Sequence, residues 1–226
     1  MLLSNLRYVN ENFEVKSGAV EIQNGVISGF SKSESGENMN SLLALPGFID
    51  IHTHGGDGVD CCDCEEEKLQ KLSLYYAKHG VTSFCPTTMT LPEEELSRVL
   101  SSLEKLKGKE KGAYIQGINL EGPYISYEKR GAQNPDYIRP ADIEEFERLN
   151  SISKILLVDL APEMPEALSF AREVSKKAVC SIAHTNATFE EAEKGFENGF
   201  SHATHLFNAM TAFLSRSPGV VGAVFS

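Results

Sequence analysis

Hydrophobic and polar residues follow one rhythm in the first forty positions and another afterwards. Ala19-Val20-Glu21-Ile22 and Val26-Ile27-Ser28-Gly29-Phe30 flank Asn24-Gly25, the strongest short-range hairpin signal. Ser31 to Ser41 is polar and loop-like, so residues 1–44 read as a small β module, part of a β-sandwich. From residue 45 onward, strands and helices alternate. Leu42 to His54 is apolar and closes on Gly55, as a buried parallel strand does. Glu65 to His79 carries Leu69, Leu72, Tyr75 and Tyr76 at helical spacing and stops at Gly80. Val81–Thr87 reads as a strand, and Glu93–Lys107 as a helix behind Pro92. Ala113–Glu121, Lys154–Leu160, Ala178–His184 and Ser201–His205 follow as strands. Asp142–Leu149, Glu166–Lys177 and Thr188–Asn198 are the intervening helices.

That order, about six βα units in succession, predicts an α/β protein with a parallel sheet and crossover helices. The expected architecture is a (β/α)8 TIM-like barrel over residues 45–226. A closed barrel needs eight strands and about 250 residues, so the barrel is expected to be incomplete within this chain. An open wall of six strands also exposes edges and interior, an aggregation hazard.

Composition narrows the function without choosing it. The chain is 41% hydrophobic and 23% charged, as ordinary globular proteins are. No apolar run is long enough for a membrane span, and no signal-peptide pattern opens the chain. Net charge of −11 without a basic cluster argues against nucleic acid. Five cysteines, with Cys61, Cys62 and Cys64 crowded together, do not resemble a secreted disulfide framework, so a reducing cytoplasm is expected. Without a second cysteine pair these three read as thiols of a loop or helix start rather than metal ligands.

Candidate chemistry collects at strand ends. In His52-Thr53-His54 both imidazoles point to one side of a strand, at the end where barrel enzymes place catalytic groups. Alone, the pair could equally be two buried histidines in a polar turn. Glu121 closes an apolar strand, where a carboxylate is costly unless paired or bound to a cation; a salt bridge or cap is the simpler alternative. His184 and His205 end the fifth and sixth strands, and each singly reads as structural. Together, four strand ends deliver His or Glu to one rim, and those donors suit zinc, iron or another divalent first-row ion. His79, at a helix C-terminus, and His202, three residues before His205, are assigned to structure.

Pro46-Gly47-Phe48-Ile49-Asp50-Ile51-His52-Thr53-His54-Gly55 resembles the opening strand of the amidohydrolase superfamily. Leu120-Glu121-Gly122-Pro123-Tyr124-Ile125, Lys129-Arg130-Gly131-Ala132, Leu160-Ala161-Pro162-Glu163, Ala183-His184-Thr185-Asn186-Ala187 and Thr204-His205-Leu206-Phe207-Asn208-Ala209-Met210 are similar, in order, to the N-acetylglucosamine-6-phosphate deacetylases. The resemblance implies that Glu121, His184 and His205 hold the ion that activates water. His52 and His54 match the extra pair of members with two metals, so one or two ions are expected. It further implies that Ala132, Gln133, Asn208 and Ala209 contact the sugar phosphate, and that Arg216 binds phosphate across a homodimer interface. Position 133 is a histidine in some relatives.

The implied reaction is removal of acetyl from N-acetylglucosamine 6-phosphate, giving glucosamine 6-phosphate and acetate, in amino-sugar catabolism. The family's general acid/base aspartate is expected beyond Ser226. Two alternatives stay open. One is another amidohydrolase, a cyclic amidase or deaminase with no phosphate-binding arginine. The other is a truncated chain without catalysis.

Overall fold

A computed structural model describes residues 1–226, which form two compact units, Met1–Gly47 and Phe48–Ser226. In the first, β1 (Leu2–Val9), β2 (Val15–Gln23) and β3 (Val26–Ser31) form an antiparallel meander. The short β4 (Glu37–Asn38) and β5 (Leu43–Ala44) both run parallel to β1. Asn24 and Gly25 have φ of 52° and 77°, the left-handed pair that a two-residue hairpin with native twist requires. Leu6, Ala19 and Val20 are buried, and Tyr8 stacks on Phe30. The polar stretch expected as loop thus contains β4, held by pairing to β1.

The second unit opens with β6 (Phe48–Thr53), followed by the small antiparallel ladder of β7 (Gly55–Gly56) and β8 (Val59–Asp60), then α1 (Glu66–Lys78). Next come β9 (Val81–Pro86) and α2 (Glu93–Leu106), then β10 (Tyr114–Ile115), β11 (Ile118–Glu121) and α3 (Ile143–Ile152). The pairs β12 (Ile155–Leu160) and α4 (Ala167–Val174), β13 (Val179–Ile182) and α5 (Phe189–Glu197), and β14 (Phe200–Ala203) and α6 (Gly219–Phe225) complete it. The ladders β6-β9-β10 and β11-β12-β13-β14 are all parallel, and a parallel bridge from Thr87 to Asn119 joins the two sets. Strands in sequence order with helices between them make the wall of a TIM-like barrel, and every strand's carboxyl end opens on one mouth. Helices cover the outside: Leu96, Val99, Leu100 and Leu103 of α2 recur on one face and are buried. Phe146 and Phe170 meet edge to face between α3 and α4. No helix is long and apolar enough to cross a membrane.

Several expected boundaries shift. The strand expected over Leu42–His54 divides, because Leu43–Ala44 pairs with β1 while pairing in the second unit starts at Phe48. The strand expected over Ala113–Glu121 also divides: β10 pairs with β9, β11 with β12. Gly117 marks the changeover. A Cβ there would lie 2.6 Å from Leu156 Cγ and 2.8 Å from the Lys154 carbonyl oxygen, so a side chain would block the step. The last two strands stop at Ile182 and Ala203, short of the histidines expected to end them. On β6, Phe48 and Ile49 are 72% and 65% exposed, an apolar strand left open at the edge of the wall.

Candidate metal centre

Glu121 ends β11 and is 1% exposed. Four imidazoles aim their Nε2 atoms at its carboxylate. His184 and His205 stand 3.2 and 3.4 Å from Oε1, His52 stands 3.4 Å from the same oxygen, and His54 stands 3.1 Å from Oε2. His52 and His54 arrive from the end of β6, two residues apart on one side, as strand pleat demands. His184 and His205 lie two residues past β13 and β14 in left-handed backbone, with φ of 43° and 33°. Non-glycine residues seldom adopt that conformation, and here it turns both rings into the mouth. All five residues proposed from the sequence as ligands are therefore brought together.

The opposite edge of each ring fixes what Nε2 offers. His184 Nδ1 is 2.8 Å from the Lys129 carbonyl, and His205 Nδ1 is 3.1 Å from that of Asn208. A carbonyl cannot donate, so both Nδ1 atoms carry the proton and a neutral ring presents an Nε2 lone pair to Glu121. Lone pairs facing a carboxylate at such distances repel, and the Nε2 atoms of His184 and His205 are themselves 3.2 Å apart. Positive charge must lie among them, as extra protons or as a cation. Ligand bonds of about 2.1 Å around a tetrahedral ion put neighbouring donor atoms about 3.4 Å apart. The separations of 3.2–3.4 Å among Glu121 Oε1, His184 and His205 fit that edge length. His52, Glu121 and His205 also form a compact group able to hold an ion, their donor atoms all within 4.8 Å of one another. Nitrogen and carboxylate donors fit a divalent first-row metal.

The charges are coupled. Burial by itself would raise the Glu121 pKa, but hydrogen bonds from His184, His205 and His54 outweigh it and hold the carboxyl well below the usual range. Glu121 in turn raises His54 above the ordinary histidine value. Burial pulls His184 down, yet its bond to Glu121 carries it above that value as well. Gln133, 4% exposed, donates its amide to Glu121 Oε2 and accepts from the Thr90 backbone N–H at 2.7 Å. Gly122, at φ 67°, lets β11 turn away beneath Thr90; a Cβ there would lie 2.2 Å from Thr90 Oγ1.

The other expected substrate residues are placed less uniformly. The Asn208 carbonyl faces His205, and the Ala209 carbonyl accepts from the Thr185 N–H, so both border the cluster through backbone. Ala132 is exposed beside Gln133. Arg216 sits in an exposed turn, bracketed by reciprocal backbone bonds between Leu214 and Ser217, and has no ion-pair or hydrogen-bond partner. Cys61, Cys62 and Cys64 join no metal group. Cys61 is buried and its thiol faces the Thr53 carbonyl; burial pushes the Cys62 thiol up to about 12. His79 caps α1 through Tyr75, and His202 meets Ser181 across the strands.

A family model described as the amidohydrolase family matches residues 43–223. The chain belongs to the amidohydrolase family. It is 35% identical, over 236 aligned residues and 98% of its length, to the N-acetylglucosamine-6-phosphate deacetylase of Bacillus subtilis. It is 38% identical, over 83% of its length, to the protein of the same description from Danio rerio. The chain spans 60% of the Bacillus relative and 48% of the Danio rerio one. Among solved structures it superposes, with a TM-score of 0.87 and 27% identity, on an aspartate-to-alanine mutant of the Mycobacterium smegmatis deacetylase in complex with N-acetyl-D-glucosamine-6-phosphate. That match covers 99% of this chain and 60% of the other.

Some supporting residues in this amidohydrolase-family site were not legible as such. Asp159 is fully buried with Oδ2 3.1 Å from His52 Nδ1, the carboxylate-behind-histidine arrangement that orients metal ligands. Its signal was present: a charge inside the apolar run Ile155–Leu160 is as costly as Glu121 in its own strand. Lys129 contributes only a carbonyl, which no side-chain pattern reveals. Glu163 accepts from Thr185 Oγ1 at 2.5 Å and from the Asn186 N–H at 2.6 Å, bracing the turn that carries His184.

Proposed function

We propose that this chain is the metal-holding part of a deacetylase that hydrolyses the acetamide of N-acetylglucosamine 6-phosphate to glucosamine 6-phosphate and acetate. The convergence of four imidazole Nε2 atoms on the buried Glu121 carboxylate carries the reading. Glu121, His184 and His205 would hold one divalent ion, zinc or iron, and His52 and His54 would complete that set or hold a second ion. Bound there, such an ion supplies Lewis-acid polarisation and makes water a nucleophile near neutral pH. The chain's own residues hold that site in order. Gln133 steadies Glu121, and the Lys129 and Asn208 carbonyls keep Nδ1 of His184 and His205 protonated so that Nε2 stays available.

The substrate assignment draws on the relatives and on what borders the cluster. Ala132, Gln133, Asn208 and Ala209 bind the sugar phosphate, and Arg216 clamps the phosphate of a homodimer partner's substrate. Its unpartnered guanidinium supports that role, because a planar fork of donors suits a phosphate. The reaction is placed in the cytoplasm, where free thiols persist, consistent with five unpaired cysteines. The N-terminal unit is read as part of a β-sandwich, since its sheet leaves apolar side chains such as Val26 and Phe30 exposed, which a second layer could cover. The test is metal analysis of the purified protein, with acetate release from the phosphorylated sugar followed before and after chelation. We expect bound zinc or iron and turnover that chelator abolishes and metal restores; turnover indifferent to chelator overturns the proposal.

A further inference from the structure

A line of polar groups crosses the barrel wall beneath the cluster. Asp159, Ser181 and His202 are successive cross-strand partners on β12, β13 and β14, and Thr204 follows two residues after His202. His52 Nδ1 lies 3.1 Å from Asp159 Oδ2, and Asp159 Oδ1 accepts from Thr204 Oγ1 at 2.7 Å. Thr204 Oγ1 and Ser181 Oγ are 2.7 Å apart, and Ser181 Oγ is 2.9 Å from His202 Nδ1. Asp159, Ser181 and Thr204 are all at most 3% exposed. We propose that Thr204, Ser181 and His202 are positioning residues: with Asp159 they form a hydrogen-bond line of fixed direction that locks His52 in the tautomer presenting Nε2 to the metal cluster. The proposal rests on the reading of that cluster as a metal site.

The direction follows from counting protons. A carboxylate only accepts, so the single Thr204 hydroxyl proton goes to Asp159. Thr204 then has only a lone pair for its other neighbour, so the Ser181 hydroxyl donates to Thr204. Ser181 has no proton left for His202, so His202 Nδ1–H donates to Ser181. At the other end, Asp159 Oδ2 faces His52 Nδ1. One competing contact exists, the Asn119 side-chain nitrogen 3.1 Å from the same Nδ1. That amide has two protons and gives one to the Ile51 carbonyl at 3.0 Å, but giving the other to Nδ1 would set the Nδ1 lone pair against the buried Asp159 carboxylate. Nε2 also faces a carboxylate, but Glu121 already accepts from Gln133 while Asp159 Oδ2 has no other donor, so the proton sits on His52 Nδ1. With Thr204 tying down one carboxylate oxygen, Asp159 cannot rotate away from the ring.

Nitrogen-15 NMR of the histidine side chains in the metal-free protein, at about pH 8.5 where an ordinary imidazole is neutral, reads this directly. We expect the Nδ1–H tautomer at both His52 and His202. In Thr204→Val, His52 should become a tautomer mixture and zinc affinity should fall about 10- to 100-fold, the scale of losses when a metal ligand's outer partner is removed. Ser181→Ala should move both readouts the same way, and Thr204→Ser should restore them. Thermal melting identifies any variant that fails to fold, and Ser181→Ala, the smaller change, then decides. An Nε2–H tautomer at His52 in the unaltered protein overturns the proposal. So does undiminished zinc affinity in folded Thr204→Val and Ser181→Ala. If the unaltered protein binds no zinc, the metal reading fails, while the tautomers still judge the line.

Discussion

Glu121 shows how one buried side chain organises its neighbours' protons. Its folded pKa lies below the ordinary carboxylate value, so its contribution to stability is present above the unfolded pKa of about 4.3 and is lost as pH falls through the lower folded value. His54 and His184 have folded values above the ordinary one. Their contribution is complete below about 6.5 and is lost as pH rises through those raised values. The metal-free protein should therefore lose thermal stability as pH rises above about 6.5 and through those raised values, as lone pairs come to face the carboxylate. Because an ion must displace the same protons, zinc affinity should climb over that interval. Melting curves in chelator and zinc titrations at stepped pH check both; a melting temperature that rises with pH counts against the shared-proton account.

At the scale of elements, two devices near α5 look alike but should behave differently. Thr188 caps α5 by accepting from the Glu191 N–H at 3.2 Å, and Glu191 reaches back to the Thr188 N–H at 2.8 Å. Thr188→Ala should cost about 0.5–2 kcal/mol of folding stability and leave metal affinity alone, since nothing in that box touches a ligand. Glu163 instead holds the turn between β13 and α5, which places His184. Glu163→Ala should cost about 1–3 kcal/mol through its unpaired donors, and should also weaken metal binding. Denaturant unfolding beside zinc titration separates the pair. Equal effects on affinity would remove the turn from the account of the site.

For the whole molecule, the proposed ligands come from strands far apart in sequence. His52 comes from β6 and His54 from just beyond it, Glu121 from β11, His184 from beyond β13 and His205 from beyond β14. An ion held by them would clamp one end of the barrel wall to the other, including β6, whose Phe48 and Ile49 gain little from burial. Free metal at about 100 times its dissociation constant should stabilise the fold by about 2.7 kcal/mol by mass action. Calorimetry with and without chelator measures this. An unchanged transition with metal demonstrably bound would mean that the ion does not hold these strands together.

The sequence by itself determined the order of strands and helices, the hairpin at Asn24-Gly25 and the five ligand candidates. Each was legible because it is a local pattern: periodicity, turn chemistry, or a polar residue closing an apolar run. Where one strand breaks into two was not legible. Gly117 takes its meaning from Leu156 and the Lys154 carbonyl, which approach it only in the folded chain. Nor could the sequence say which face of each imidazole carries the proton. That is decided by the Lys129 and Asn208 carbonyls and by Asp159, brought to the rings by loop and sheet geometry. Residue type supplied the chemistry of the donors. Only the tertiary structure, by fixing what stands behind each ring, decided that their lone pairs face one another and call for a cation between them.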